Sequence, residues 1–231
     1  TDDKGDECVN FIMRHQDVPF FLYASFNAPH SPMQAIDEDL KLYDHIKDEK
    51  RRTYAAMVHR LDLNVGRIVL ELKKQGIYEN TVIVFLSDNG GPIYGNGSIN
   101  APFNGRKGTL LEGGIRVPFV ISYPEKLKSG VYYKPISALD LTPTFVELAG
   151  GKILDDTRVE SLERQQGGWR LRLQTMSGAS TLHASGTILS AGAVGSPALL
   201  RRSGLSEQAG TNLRMHPTVK VVALFDEVVN H

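Results

Sequence analysis

The chain has a single cysteine, Cys8, in 231 residues. That excludes an intrachain disulfide and leaves the redox compartment unread. It also has no net charge, with 26 Lys and Arg against 26 Asp and Glu. This balance gives no case for nucleic acid or an anionic membrane as a general partner. No apolar run approaches the roughly 20 residues of a membrane-spanning helix. Internal repeats, low-complexity tracts and linker-like stretches are missing too. The opening residues, TDDKGDE, are polar and acidic, unlike a signal peptide, and there is no leading Met. A fragment or a processed product is therefore expected. What remains is 41% hydrophobic and 23% charged, the composition of a soluble globular protein of one domain or two small ones.

The first two-thirds of the chain reads as α/β. "PFFLYASF", Pro19 to Phe26, is dense in aromatics and predicts a strand. "NAPHSP", Asn27 to Pro32, predicts a loop stiffened by two prolines. A long helix is predicted from about Lys50 to Gln75. Tyr54, Met57, Val58, Leu61, Val65, Ile68 and Leu72 share its apolar face, and Gly76 stops it. Strands are predicted at Thr81 to Leu86 and Val117 to Ser122, joined through a long Gly- and Asn-rich loop. Thr142-Pro143 predicts the start of a helix that ends at Gly150-Gly151.

After Lys152 the texture changes. Alternating segments around Gln165-Gln166-Gly167-Gly168 predict a β-hairpin. Thr187 to Ser190 and Thr218 to Phe225 predict strands. Ser196-Pro197 predicts a helix start, with Gly204 as its stop.

Four polar positions in the first part carry chemistry. His30 sits in the proline-rich loop, and Lys107 sits between glycine-flanked turns. A His and a Lys together suit a tetrahedral oxyanion. Asp88 and Asn89 follow the strand ending at Leu86. Their carboxylate and amide oxygens suit a hard cation such as calcium or magnesium. Gly90 and Gly91 would let the backbone approach whatever lies there. Each residue alone is more often an Asx turn, a loop histidine or a solvated lysine. Asn96-Gly97-Ser98 fits a glycosylation sequon, a triplet that commonly arises by chance.

The stretches "PFFLYASFNAPHSP", "YAAMVHRLDLNVGRIV", "TVIVFLSDNGG", "GRKGTLLEGGIRVPFVI" and "ALDLTPTFVELAGG" occur in this order, over about Cys8 to Lys152. Together they resemble the sulfatases of the alkaline-phosphatase-like superfamily. The resemblance implies sulfuric ester hydrolysis, with His30 and Lys107 on the sulfate and Asp88 and Asn89 as two of four metal ligands, usually for calcium. Phosphate or phosphonate ester chemistry of the same superfamily stays open. The family's Cys-x-Pro/Ala-x-Arg stretch, whose cysteine becomes the formylglycine nucleophile, is not in this sequence, and Cys8 is not that cysteine. Asp2-Asp3 has the letters of the family's first metal pair but no strand before it. The Lys-x-His pair is also missing. Catalysis by this chain alone is not expected.

"AGAVGSPALLRRSGL", Ala191 to Leu205, and "GTNLRMHP", Gly210 to Pro217, resemble the glucose-methanol-choline (GMC) oxidoreductases, flavoenzymes that oxidise alcohols. Ser206 stands where that signature usually has glycine. The resemblance implies FAD near Gly192 and Ala193; the alternative is that these small residues only permit close packing. The family's G-x-G-x-x-G fingerprint is missing, and His216 is given no catalytic role. FAD binding by this piece is not expected.

The resulting expectation is a partial alkaline-phosphatase-like mixed sheet with flanking helices over residues 1–152. A small α+β piece of a GMC FAD-binding domain follows over 153–231. The joined pieces form a chimeric chain whose partner is a sulfate ester or related anion. Exposed half-domain edges favour association with another chain. A non-catalytic anion- or metal-binding module, or a half-enzyme completed by another chain, are the alternatives. A periplasmic or extracellular home is usual for sulfatases, but nothing in this sequence assigns the compartment.

Overall fold

A computed structural model describes residues 1–212 of the chain. The predicted strand at Thr218–Phe225 and His216 lie outside the described residues. The chain divides into two compact units, Thr1–Tyr132 and Tyr133–His231.

The first unit is organised by one long helix. Helix α3 spans Glu49–Lys74, within a residue of the predicted span, and Asp48 caps it by accepting from the Arg51 amide at 2.7 Å. Its buried stripe runs through Ala56, Met57, Leu61, Asn64, Glu71 and Leu72. Val58, predicted on that face, is exposed. The stripe is rotated because a helix absent from the sequence reading packs there. Helix α1, Asp2–His15, buries Gly5, Cys8 and Ile12 at helical spacing. Gly5 sits so close to Asn64 that a Cβ would lie 1.8 Å from the Asn64 amide oxygen. Asn64 is 1% exposed, and its amide donates to Asp2 Oδ1 and to the Arg60 carbonyl, each at 2.8 Å. Asp2 thus belongs to a helix and to a polar seam between helices.

Arg60 also donates twice to Asp39 of α2 (Asp37–Lys41), at 2.7 and 2.8 Å. That buried carboxylate holds the Arg60 guanidinium above its ordinary value. A small core of Ala28, Met57 and Leu61, with Phe26 and Met33 packed on it, anchors the loop that carries His30.

Strand β1, Ile83–Leu86, pairs antiparallel with β2, Phe119–Ser122, in a two-stranded sheet. Between them lies the short helix α4, Glu112–Ile115. The predicted strand at Pro19–Phe26 is not one: these residues join no β-ladder, and Tyr23 is 81% exposed. An aromatic-rich run makes a strand only where a neighbouring strand supplies ladder partners, and no described strand does.

In the second unit the helix α5 spans Leu141–Leu148. A 3₁₀ turn, Ala138–Asp140, leads into it, and Ser137 and Asp140 form a capping box there. This moves the start back from the predicted Thr142-Pro143, because the Ser137–Asp140 pair satisfies the first free amides. Strands β3 (Arg158–Gln165), β4 (Gly168–Thr175) and β5 (Gly178–Ala184) form an antiparallel meander. The predicted hairpin turns at Gln166-Gly167, and β5 is an addition to it. On its outer face Arg170 hydrogen-bonds Glu163 across the strands, which lowers the Glu163 carboxyl below its ordinary value.

The inner face and helix α6, Gly192–Arg202, enclose Leu162, Leu171, Leu173 and Leu199. Thr187–Ser190 is not a strand. Helix α6 also begins four residues before the predicted Ser196-Pro197 start. The Ser196 hydroxyl instead accepts from the Ala191 amide at 2.9 Å, so it caps from inside the first turns, and Pro197 lies within the helix. Gly204 follows the helix end as predicted.

Candidate functional site

Three loops of the first unit carry the predicted polar residues, and they bring the side chains of His30 and Lys107 together. The first follows β1. Ser87 donates its hydroxyl to the Asn89 carbonyl at 2.8 Å, and its amide reaches Pro118 ahead of β2. This fixes Asp88 and Asn89 just past the sheet. Asp88 is exposed and Asn89 half-buried. The Asn89 amide nitrogen donates to the Gly90 carbonyl at 3.1 Å, which leaves its oxygen for a cation. A carboxylate and an amide oxygen fit a hard cation, but supply two of the six or more oxygens calcium takes. Among the described residues no group of three or more His, Cys, Asp or Glu could hold a metal.

The glycines after Asn89 serve a purpose different from the one the sequence suggests. Gly90 donates to the Gly114 carbonyl at 2.9 Å, and a Cβ on it would lie 1.8 Å from the Gly113 carbonyl oxygen. What approaches this backbone is the Glu112–Ile115 turn of the same chain.

The second loop carries Lys107. Its amide donates to the Gly91 carbonyl at 3.2 Å, so the lysine is tied to the turn that holds Asp88 and Asn89. Asn100 completes the tie, accepting from the Gly91 amide at 3.0 Å and donating to the Gly91 and Gly105 carbonyls at 2.9 and 3.0 Å.

The third loop carries His30. Its Nδ1 lies 2.8 Å from the Ser31 carbonyl. A carbonyl only accepts, so Nδ1 carries the proton and Nε2 presents its lone pair. Lys107 Nζ lies 3.4 Å from that Nε2. The structure thus joins two residues 77 positions apart, both exposed to solvent where an anion can reach them. Cys8 takes no part: it is buried in α1, and burial, then Glu7, pushes its thiol above the ordinary value.

The sequence reading missed the residues that hold these loops. Asn96 and Ser98 are 5% and 3% exposed. The Asn96 side chain donates to the Pro29 carbonyl at 3.3 Å and accepts from the Ser98 amide at 3.0 Å. The sequon triplet is therefore an internal turn. Its only sequence signal was the Asn-rich texture of the loop.

In the second unit, Gly192 and Ala193 open helix α6 and are both exposed. Gly192 has φ +78°, and a Cβ on it would meet nothing within 4 Å. Among the described residues, neither a cradle for a flavin nor close packing surrounds it. The described residues around Gly192 and Ala193 do not fit FAD.

Residues 2–151 match the family model described as Sulfatase, and residues 139–218 match the one described as GMC oxidoreductase. The chain is 41% identical over 146 residues to Arylsulfatase J of Mus musculus, covering 63% of this chain and 24% of that protein. It is 36% identical over 166 residues to the uncharacterized sulfatase YdeN of Escherichia coli, covering 70% and 30%. The solved structure of Ps i-CgsB in complex with k-i-k-neocarrahexaose superposes with TM-score 0.65 at 37% identity, over 75% of this chain and 44% of that one. The putative sulfatase yidJ from Bacteroides fragilis, TM-score 0.53 at 22% identity over 78% and 48%, shares the fold. The chain thus spans between about a quarter and a third of the length of these curated relatives.

Proposed function

The chain belongs to the sulfatase family, and from that premise we propose that its first 152 residues carry the anion-binding half of a sulfuric ester hydrolase. The fold is a partial alkaline-phosphatase-like α/β fold. The observation that carries the proposal is the 3.4 Å approach of Lys107 Nζ to His30 Nε2. Two nitrogens at that separation span neighbouring oxygens of one sulfate group. Lys107 donates to an oxygen as a point charge. His30 holds its Nδ1 proton on Ser31, so it donates from Nε2 only after taking a second proton. As the ester bond breaks, both residues lie where charge gathers on the sulfate and leaving oxygens.

Asp88 and Asn89 would contribute two oxygens to a calcium ion. A bound calcium ion polarises the ester and balances oxyanion charge. The names of related proteins, among them N-acetylgalactosamine-6-sulfatase of Canis lupus familiaris, point to a sugar sulfate as the ester class.

We ascribe no turnover to the chain alone, because it has no cysteine in a formylglycine stretch and binding groups do not replace a nucleophile. We place the join to the GMC-like piece between Lys152 and Asp156, and we ascribe no flavin chemistry to that piece. The aromatic-rich run at Leu22–Phe26, in no ladder of the described residues, favours a half-enzyme completed by another chain over a free-standing binding module.

The test is complementation. The chain is mixed with a separately produced sulfatase segment that carries the formylglycine stretch, and 4-nitrophenyl sulfate hydrolysis is followed. Activity is expected only in the mixture, and its loss in Lys107→Ala. Turnover by the chain alone would overturn the inactive reading. No activity on mixing, with sulfate still bound, would leave the binding module.

A further inference from the structure

The His30–Lys107 approach needs two loops far apart in sequence to be held in one register. The first carries Asn27 to Pro32, and the second runs from Gly90 to Gly108. Hydrogen bonds inside each loop are plentiful, but they fix only that loop. His30 donates its amide to the Asn27 carbonyl at 2.8 Å, within its own turn. Asn100 ties Gly91 to Gly105 within the other.

One buried side chain bridges the two. The amide of Asn96 donates to the carbonyl of Pro29, the residue before His30. Its oxygen accepts from Ser98, whose hydroxyl in turn accepts from the Ile93 amide at 2.9 Å. Gly97, between them, lies against α3: a Cβ there would sit 2.8 Å from the Arg51 amide nitrogen, and the Arg51 guanidinium donates to its carbonyl at 3.2 Å. The bridge is thus backed by the first turn of the unit's longest helix. A buried amide with both ends satisfied is a stiff connection, and losing one end leaves a buried carbonyl or amide unpaired.

We propose that Asn96 is a positioning residue that sets the distance between His30 and Lys107 from behind, without touching the anion. The proposal rests on the reading of His30 and Lys107 as the anion-binding pair. It also removes the triplet as an accessible glycosylation site of the folded chain, since both polar ends of Asn96 face inward.

The experiment uses the full chain with ¹⁵N-labelled histidine and reads the His30 ring nitrogens by NMR. Lys107→Met is made in the wild type and in Asn96→Ser. In the wild type, Lys107→Met is expected to move the Nε2 resonance. In Asn96→Ser the same change is expected to move it by less than half as much, while Ser98→Ala, which leaves the bridge to Pro29, keeps the full effect. An undiminished effect in a folded Asn96→Ser protein overturns the positioning role and leaves the pair intact. No effect of Lys107→Met in the wild type overturns the pair, and the positioning role with it. Should Asn96→Ser not fold, hydrogen exchange of the Asn96 side-chain amide in the wild type decides. Strong protection supports the bridge, and exchange at the rate of a free asparagine overturns it.

Discussion

The two units of this chain are built from contacts of opposite range. In the second, β3, β4 and β5 follow one another in sequence and pair with their neighbours, and the returning helix α6 closes their leucine core. In the first, the sheet has two short strands, and the site depends on loops 77 residues apart. The meander needs only two tight turns to form, which is how a piece of a larger domain folds locally. Yet Gly192 and Ala193, the residues expected to meet a cofactor, are exposed among the described residues. The first unit is the reverse: less sheet, but polar side chains brought together by specific hydrogen bonds. Among the described residues, the second unit closes a leucine core without a pocket at its helix start, and the first, on a smaller core, brings Lys107 to 3.4 Å from His30.

The largest effect should come from the core of the second unit. Leu162 is 4% exposed among Leu171, Leu173 and Leu199. Leu162→Ala is expected to cost about 3 kcal/mol through lost burial and a residual cavity. Fluorescence of Trp169, the only tryptophan, follows this unit in a denaturant melt. A change under about 1 kcal/mol would deny the meander a core of its own.

A smaller contrast compares two glycines. Gly90→Ala places a methyl 1.8 Å from a carbonyl oxygen of the neighbouring turn, so the loops of the first unit must move apart. Sulfate affinity should fall at least tenfold, read by calorimetry. Gly192→Ala meets no atom of the described residues within 4 Å and carries the strain of its positive φ, about 1 kcal/mol. Equal and small effects at both would erase the distinction between a packed site and an open helix start.

Legibility in the sequence followed the same division. Helix α3 was readable because its apolar residues repeat at helical spacing over many turns, and the first hairpin because Gln-Gly marks its turn. Strand β5 was not, since Ala179, Ser180 and Thr181 are small and polar along an exposed edge. Helix α1 was hidden by its acidic start and by Gly5, a poor helix former that serves close approach to Asn64. The run at Pro19–Phe26 was over-read, because propensity describes a strand's own residues and not its partner. His30, Lys107, Asp88 and Asn89 were visible as motif residues. Asn96 was not, because a buried amide bridge has no spacing rule, and its triplet pointed to a surface modification instead.

The central claim is that the first unit holds an anion between His30 and Lys107. It is tested most directly by titrating inorganic sulfate into the intact chain while following the His30 ring nitrogens by NMR. The account predicts a saturable shift at millimolar sulfate that disappears in Lys107→Met. No shift at those concentrations, or the same shift without Lys107, would contradict it.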